Sequence, residues 1–263
     1  MKLFASDLDK TLIHSYKTAQ PGDICVELKD GKKLSYMTHE AQKTLRNICS
    51  HPDIAFTPVT TRSTEQYERI HLFDNYVPHL AAAANGGVLL IDGESDKEWY
   101  AQSQQLIRNS LPVMDEGMRI LEKDPDVSFE IRIVDGMFVF TKSGNTDATK
   151  KRLSDALDKS QVMIYNIGEK IYIFPAVLTK GRAVERLVQR FGFTGVICAG
   201  DSEFDISMLE IADIAYYPLG LAEYVSSKNG IGFDETHRRF ADSLLEDFEK
   251  RCYDEVGRCI KDK

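Results

Sequence analysis

No run of about 18 apolar residues occurs anywhere in the chain, which removes the usual sequence signature of a membrane-spanning helix. The five cysteines, Cys25, Cys49, Cys198, Cys252 and Cys259, are odd in number and scattered, and no CxxC pair is present. That distribution speaks against both a disulfide framework and a zinc knuckle. Lysine and arginine form no block or stripe, and the net charge is −8, so a nucleic-acid partner lacks its electrostatic footprint. The N-terminus has no basic segment followed by a long apolar one, and the expectation is a reducing, cytoplasmic setting. What is present is ordinarily globular, with 43% hydrophobic and 28% charged residues in a chain of 263. That length suffices for one large domain, or for a core with a smaller domain inserted.

Hydrophobic periodicity orders the chain into three parts. Residues 2–6 predict a short buried strand, residues 24–37 a hairpin turning at Asp30-Gly31, and Thr38 the cap of a helix carrying Ala41, Leu45 and Ile48. "DIAFTPVTTR" predicts a second buried strand, followed by a helix near 63–72. "HLAAAANGGVLLIDG" predicts two more strands around a Gly-Gly turn, in β-α-β order with parallel logic. The texture then changes to a helix near 102–122, two alternating strands turning at Asp135-Gly136, a helix near 147–159, and the strands "VMIYNI" and "KIYIFP". Such a run predicts an α+β module with an antiparallel sheet. From 180 the βα alternation returns, with helices at 180–191 and 204–211, strands "GVICAG" and "DIAYYP", and a charged helix from about 236 to 260.

The expected fold is therefore α/β, with a Rossmann-like parallel-sheet core made of residues 1–92 and 178–263 and an α+β cap inserted at 93–177. The last helix carries Phe240, Leu244, Phe248, Cys252 and Val256 on one stripe. Packing on its own core is the first reading of that stripe and a dimer interface the second, so the chain is expected to be a monomer or homodimer.

Polar clusters fall at the carboxyl ends of the predicted parallel strands, where open α/β sheets bind ligands. They are Asp7/Asp9, Thr60/Thr61, Lys180 at a helix entry, and Asp201 with Asp205 in "AGDSEFD". A carboxylate at the end of a buried strand is costly unless a cation or hydrogen bonds compensate it. Residues i and i+2 of an extended chain point the same way, so Asp7 and Asp9 face one site. Three aspartates converging there make a hard oxygen site suited to Mg²⁺.

These clusters resemble the four motifs of the haloacid dehalogenase-like (HAD) phosphatases, in order and over the whole chain. Asp7-Leu8-Asp9-Lys10-Thr11 matches the first motif, Thr60-Thr61-Arg62 the second, Lys180 in "TKGRA" the third, and Gly200 through Asp205 the fourth. The likeness is to the subgroup with an α+β cap between the second and third motifs, the Cof-type and sucrose-phosphatase-like hydrolases. Two positions depart from it: Thr61 stands where glycine is usual, and Phe204 where asparagine is common, which removes a polar group expected near the phosphate.

The resemblance implies that Asp7 is the nucleophile of an aspartyl-phosphate route and Asp9 the general acid and base. It further implies Mg²⁺ held by Asp7, Asp9 through its carbonyl, and Asp201, with phosphate bound by Thr60 or Thr61 and Lys180, and Lys180 steadied by Asp205. Arg62 meets either substrate or a neighbouring carboxylate. The implied ligand is a small phosphate ester, with a sugar phosphate favoured; a phosphotransferase or mutase, or a weakly active binding protein on this fold, is the alternative. A signalling receiver domain also gathers aspartates around Mg²⁺ but needs no cap and less chain. Trp99 is expected to pack rather than stack on a sugar, and His14 and His79 to be structural.

Overall fold

The computed structural model describes residues 1–227 and 229–261, with side chains as far as Cys252. The opening apolar run forms β1 (Lys2–Ser6). A two-residue β2 (His14–Ser15) joins the hairpin of β3 (Ile24–Lys29) and β4 (Lys32–Met37) in a small side sheet ordered β2-β4-β3. Asp30 and Gly31 take the positive φ values, 51° and 74°, that the tight turn needs. Thr38 caps α1 (His39–Cys49), its hydroxyl accepting from the Ala41 N–H at 2.9 Å. β5 (Ile54–Pro58) then lies parallel to β1.

The helix predicted near 63–72 shortens to one turn, α2 (Thr64–Tyr67). Its capping box starts it, but Ile70 bridges to Glu27 of the hairpin, and that tertiary pairing draws the chain off the helix. β6 (Leu80–Ala83) and β7 (Val88–Ile91) are antiparallel and, with β8 (Glu94–Ser95), form a second side sheet, which meets the end of β5 through a parallel bridge of Val59 with Ala82 of β6. Their connection is too short for a parallel crossover. In place of one helix over 102–122 there are two, α3 (Lys97–Ile107) and α4 (Leu111–Glu122). A 3₁₀ turn at Arg108–Ser110 separates them, and Pro112, which has no N–H to give, sits in the first turn of the second.

β9 (Arg132–Val134), β10 (Phe138–Lys142), α5 (Thr146–Ala156), β11 (Val162–Ile167) and β12 (Lys170–Pro175) follow the predicted pattern. Their strands form an antiparallel sheet ordered β11-β12-β10-β9. One face, with Val139, Ile171 and Ile173, packs on Met114 and Leu121 of α4 and Leu153 of α5. The βα alternation then resumes with α6 (Lys180–Phe191), β13 (Val196–Ala199), α7 (Ile206–Glu210), β14 (Ile214–Pro218), β15 (Gly230–Phe233) and α8 (Phe240–Lys261).

The main sheet is parallel throughout, ordered β15-β14-β13-β1-β5, so strands from both ends of the chain lie side by side. Phe240, Leu244 and Phe248 of α8 are buried in its core, the Phe248 ring 4.6 Å from Phe4. The side chains of Val256 and Cys259 lie outside the described residues. Among the described residues, no helix is long and apolar enough to cross a membrane.

Candidate active site

β1 and β13 end together, and the Asp7 N–H donates to the Ala199 carbonyl at 2.9 Å, so the loops leaving both strands meet. Asp7, Asp201 and Asp205 bring carboxylate oxygens within 4.8 Å of one another there. Lys180, the first residue of α6 and only 1% exposed, places its Nζ 2.7 Å from Asp7 Oδ1 and 2.6 Å from Asp205 Oδ1. Asp205 Oδ2 accepts from the Asp201 N–H at 3.0 Å and from the Ser202 N–H and hydroxyl at 2.9 Å each. This loop closes tightly enough that a Cβ on Gly200 would stand 2.2 Å from the Asp205 Cβ. A Cβ on Gly181 would stand 2.3 Å from the Ser207 carbonyl oxygen, so glycine lets α6 approach the same loop.

Asp201 Oδ1 accepts from the Thr11 hydroxyl at 3.0 Å, which joins the first and fourth motifs directly. Asp205 therefore spends both oxygens inside the protein. Asp7 and Asp201 each retain an oxygen that no described group occupies, and these two are the carboxylates able to hold a cation. Asp9 lies outside the carboxylate cluster, and its expected contribution was through the main chain. Thr60, just past β5, is buried, and its hydroxyl accepts from the Arg62 N–H at 3.2 Å; Thr61 is half-buried.

The electrostatics show what the site demands. Burial pushes the Asp7 carboxyl well above its usual range, and Asp205, Asp201 and Asp9 add to that against the pull of Lys180. Burial, with Asp205, pushes Asp201 up to about 7. Burial works against the Lys180 charge, yet Asp205 and Asp7 hold its ammonium above the ordinary lysine range. One lysine thus leaves the centre short of positive charge, which is the condition a divalent cation satisfies.

Arg62 settles on carboxylates. Its Nε and Nη2 donate to the two oxygens of Asp9, each at 2.7 Å, and its Nη1 stands 2.9 Å from Oε1 of Glu27. Burial raises Asp9, but the Arg62 bonds and charge outweigh it and hold Asp9 below the usual carboxylate range. Glu27 is buried, accepts from the Ser35 hydroxyl at 2.6 Å, and also faces Arg69 at 3.4 Å.

Sequence reasoning missed Glu27. Val26 and Glu27 are consecutive yet both buried, because the hairpin register shifts at Glu27. A strict period of two places them on opposite faces, so only pairing partners reveal the bulge.

Trp99, His14 and His79 fall as expected, and Phe204 serves packing. Trp99 is buried, donates its indole N–H to the Gly86 carbonyl at 3.0 Å, and carries the Arg186 guanidinium 3.6 Å over its ring. His14 pairs with Asp23 at 2.7 Å and His79 with Asp92 at 2.8 Å. Phe204 packs into an aromatic group with Tyr165, Tyr172 and Phe174, at ring separations of 4.7, 5.5 and 5.6 Å.

No curated protein matches the chain. Among solved structures, the sucrose-phosphatase of Synechocystis sp. PCC6803, in complex with sucrose and phosphate, is similar at a TM-score of 0.60 and 15% identity, over 93% of this chain and 95% of that one. A Thermoplasma acidophilum protein is similar at a TM-score of 0.58 and 12% identity, over 95% and 98%. A trehalose-6-phosphate phosphatase related protein is similar at 0.52 and 15%, over 97% and 100%. At these identities the likeness is one of fold. The family model of haloacid dehalogenase-like hydrolases matches residues 82–217, a segment that carries Lys180, Asp201 and Asp205. Since that match spans just over half of the 263 residues, this enzyme belongs to the haloacid dehalogenase-like hydrolase family.

Proposed function

We propose that the protein is a Mg²⁺-dependent phosphatase that hydrolyses a small phosphate ester, in first place a sugar phosphate, through an aspartyl-phosphate on Asp7. The observation that carries this reading is the Lys180 ammonium held between Asp7 and Asp205 while Asp7 and Asp201 keep oxygens free. Two buried carboxylates of raised pKa facing one lysine fit a hard divalent cation, held by Asp7, Asp201 and the Asp9 carbonyl. Such a cation supplies charge neutralisation for an anionic substrate next to an anionic nucleophile.

In this scheme Asp7 attacks phosphorus, the bond from phosphorus to the leaving oxygen breaks, and that oxygen takes a proton from Asp9. Asp9 then takes a proton from the water that attacks the acyl phosphate, releasing phosphate and restoring the Asp7 carboxylate. Arg62 holds Asp9 ionised between turnovers, so the acid step requires Arg62 to yield one of its two bonds and Asp9 to take up a proton from solvent when substrate enters. Thr60, Thr61 and Lys180 are assigned to the phosphoryl oxygens. Residues 1–92 and 178–263 are assigned to the catalytic core and 93–177 to the cap that supplies leaving-group contacts; the docking of Phe204 on Tyr165, Tyr172 and Phe174 supports that division.

The likeness to a sucrose-phosphatase and to a trehalose-6-phosphate phosphatase related protein supports a sugar phosphate as substrate. The test is hydrolysis of p-nitrophenyl phosphate with Mg²⁺ and with excess chelator, followed by a panel of sugar phosphates. Turnover that needs Mg²⁺ is expected; no turnover under either condition overturns the reading.

A further inference from the structure

The antiparallel sheet has one face on α4 and α5, and its other face looks toward the acidic centre. Tyr172 and Phe174 fix that orientation, because both touch Phe204, which lies in the loop of Asp201 and Asp205. Side chains alternate along a strand, so Lys170 shares the face of Tyr172 and Phe174 on β12. Lys142 of β10 is its direct cross-strand partner and shares that face too.

Two ammonium groups set directly opposite repel. Lysines that guard a sheet against aggregation sit on its edge strands, whereas β10 and β12 are the two central strands here. Lys142 rests 5.5 Å over the Phe129 ring, and neither lysine enters an ion pair among the described residues. Lys170 retains exposed surface, yet burial of its ammonium is the largest influence on it and holds it below its usual range. Attraction to Asp9 opposes that effect, while repulsion from Arg62, Lys142 and Lys10 adds to it. The pair therefore faces the Asp9 side of the centre, where a leaving group would emerge.

We infer that Lys142 and Lys170 form a second anion subsite, so that the substrate is a phosphate ester whose leaving group carries its own carboxylate or second phosphate. The inference rests on the phosphatase reading for the first phosphate, but the second subsite has a readout independent of turnover. Calorimetric titration at fixed Mg²⁺ of the full chain carrying Asp7→Asn, which stops turnover, uses two matched pairs: 6-phosphogluconate against glucitol 6-phosphate, and 3-phosphoglycerate against glycerol 3-phosphate. Each pair differs in a carboxylate replacing a hydroxymethyl group, and the two pairs place that carboxylate at different distances from phosphate.

In at least one pair the carboxylate is expected to tighten binding about tenfold, as a charge-assisted contact does. Lys142→Ala with Lys170→Ala should bring that ratio back near one, and Lys170→Glu should invert it. Equal affinities within both pairs, or a ratio that survives in the double variant, overturns the subsite. If no ester is hydrolysed by the wild type, the phosphatase reading fails, while the affinity ratio still decides the subsite.

Discussion

Burial alone pushes Asp9 toward the neutral acid, and the two hydrogen bonds from Arg62 more than reverse that push. Arg62→Ala should therefore raise the Asp9 pKa, and because Asp9 must be protonated to act as the acid, the alkaline limb of the kcat/KM profile should move up by about one pH unit or more. An alkaline limb that stays in place would separate Asp9 from the ionisation that limits turnover. Glu27 in turn steadies Arg62 and Arg69 from a buried position. Removing its charge with Glu27→Gln takes one carboxylate from two guanidiniums that keep Asp9 and Glu65 as partners, and a loss of about 2 kcal/mol is expected in urea unfolding, the worth of charge-assisted hydrogen bonds. Asp7 and Asp9 were legible because an i, i+2 carboxylate pair at the end of an apolar strand has no folding reason to exist. Glu27 was hidden by a bulge, and the Arg62–Asp9 fork by the impossibility of reading a side-chain partner from spacing.

At the scale of elements, the 3₁₀ turn Glu203–Asp205 carries the Phe204 departure from the common asparagine. From sequence, that departure implies a missing polar group near phosphate. In the structure Phe204 is instead the core's aromatic contact with β11 and β12. Phe204→Asn should accordingly lower the melting temperature and reduce turnover, through lost ring contacts worth about 0.5–1.5 kcal/mol each. A rise in activity at unchanged stability would mean that the hydrogen bond, not the packing, was what the site lacked.

Elements with sustained periodicity, such as α1, α6 and the β11–β12 hairpin, match their predicted positions closely. Those that shifted were decided by partners or by a single residue: α2 ends just before Ile70 pairs with Glu27, and α4 begins anew at Leu111 with Pro112 in its first turn. β15 escaped notice because its four residues, Gly230–Phe233, include two glycines and are defined by pairing with β14.

Across the whole molecule, β1 is threaded between β5 and β13, so the first motif and the fourth share one cleft although Thr11 and Asp201 lie 190 residues apart. That closure was legible from the return of βα alternation at 180, and it concentrates negative charge. Asp201, pushed up to about 7 by burial and Asp205, keeps its proton in the folded state after the unfolded chain has released it near the usual value of about 4. Metal-free stability should consequently fall as pH rises from about 4 to about 7 through this group. Mg²⁺ should abolish the fall by favouring the carboxylate, and melting curves across that range with and without Mg²⁺ check it; in Asp201→Ala both effects should shrink.

The claim from which the rest depends is that Asp7 attacks phosphorus. Asp7→Asn keeps the shape and removes the nucleophile, so the direct measurement is p-nitrophenyl phosphate turnover by this variant and the wild type at saturating Mg²⁺, with melting temperatures recorded for both. The account predicts a folded variant with no turnover beside an active wild type. A folded variant that retains substantial turnover would contradict it.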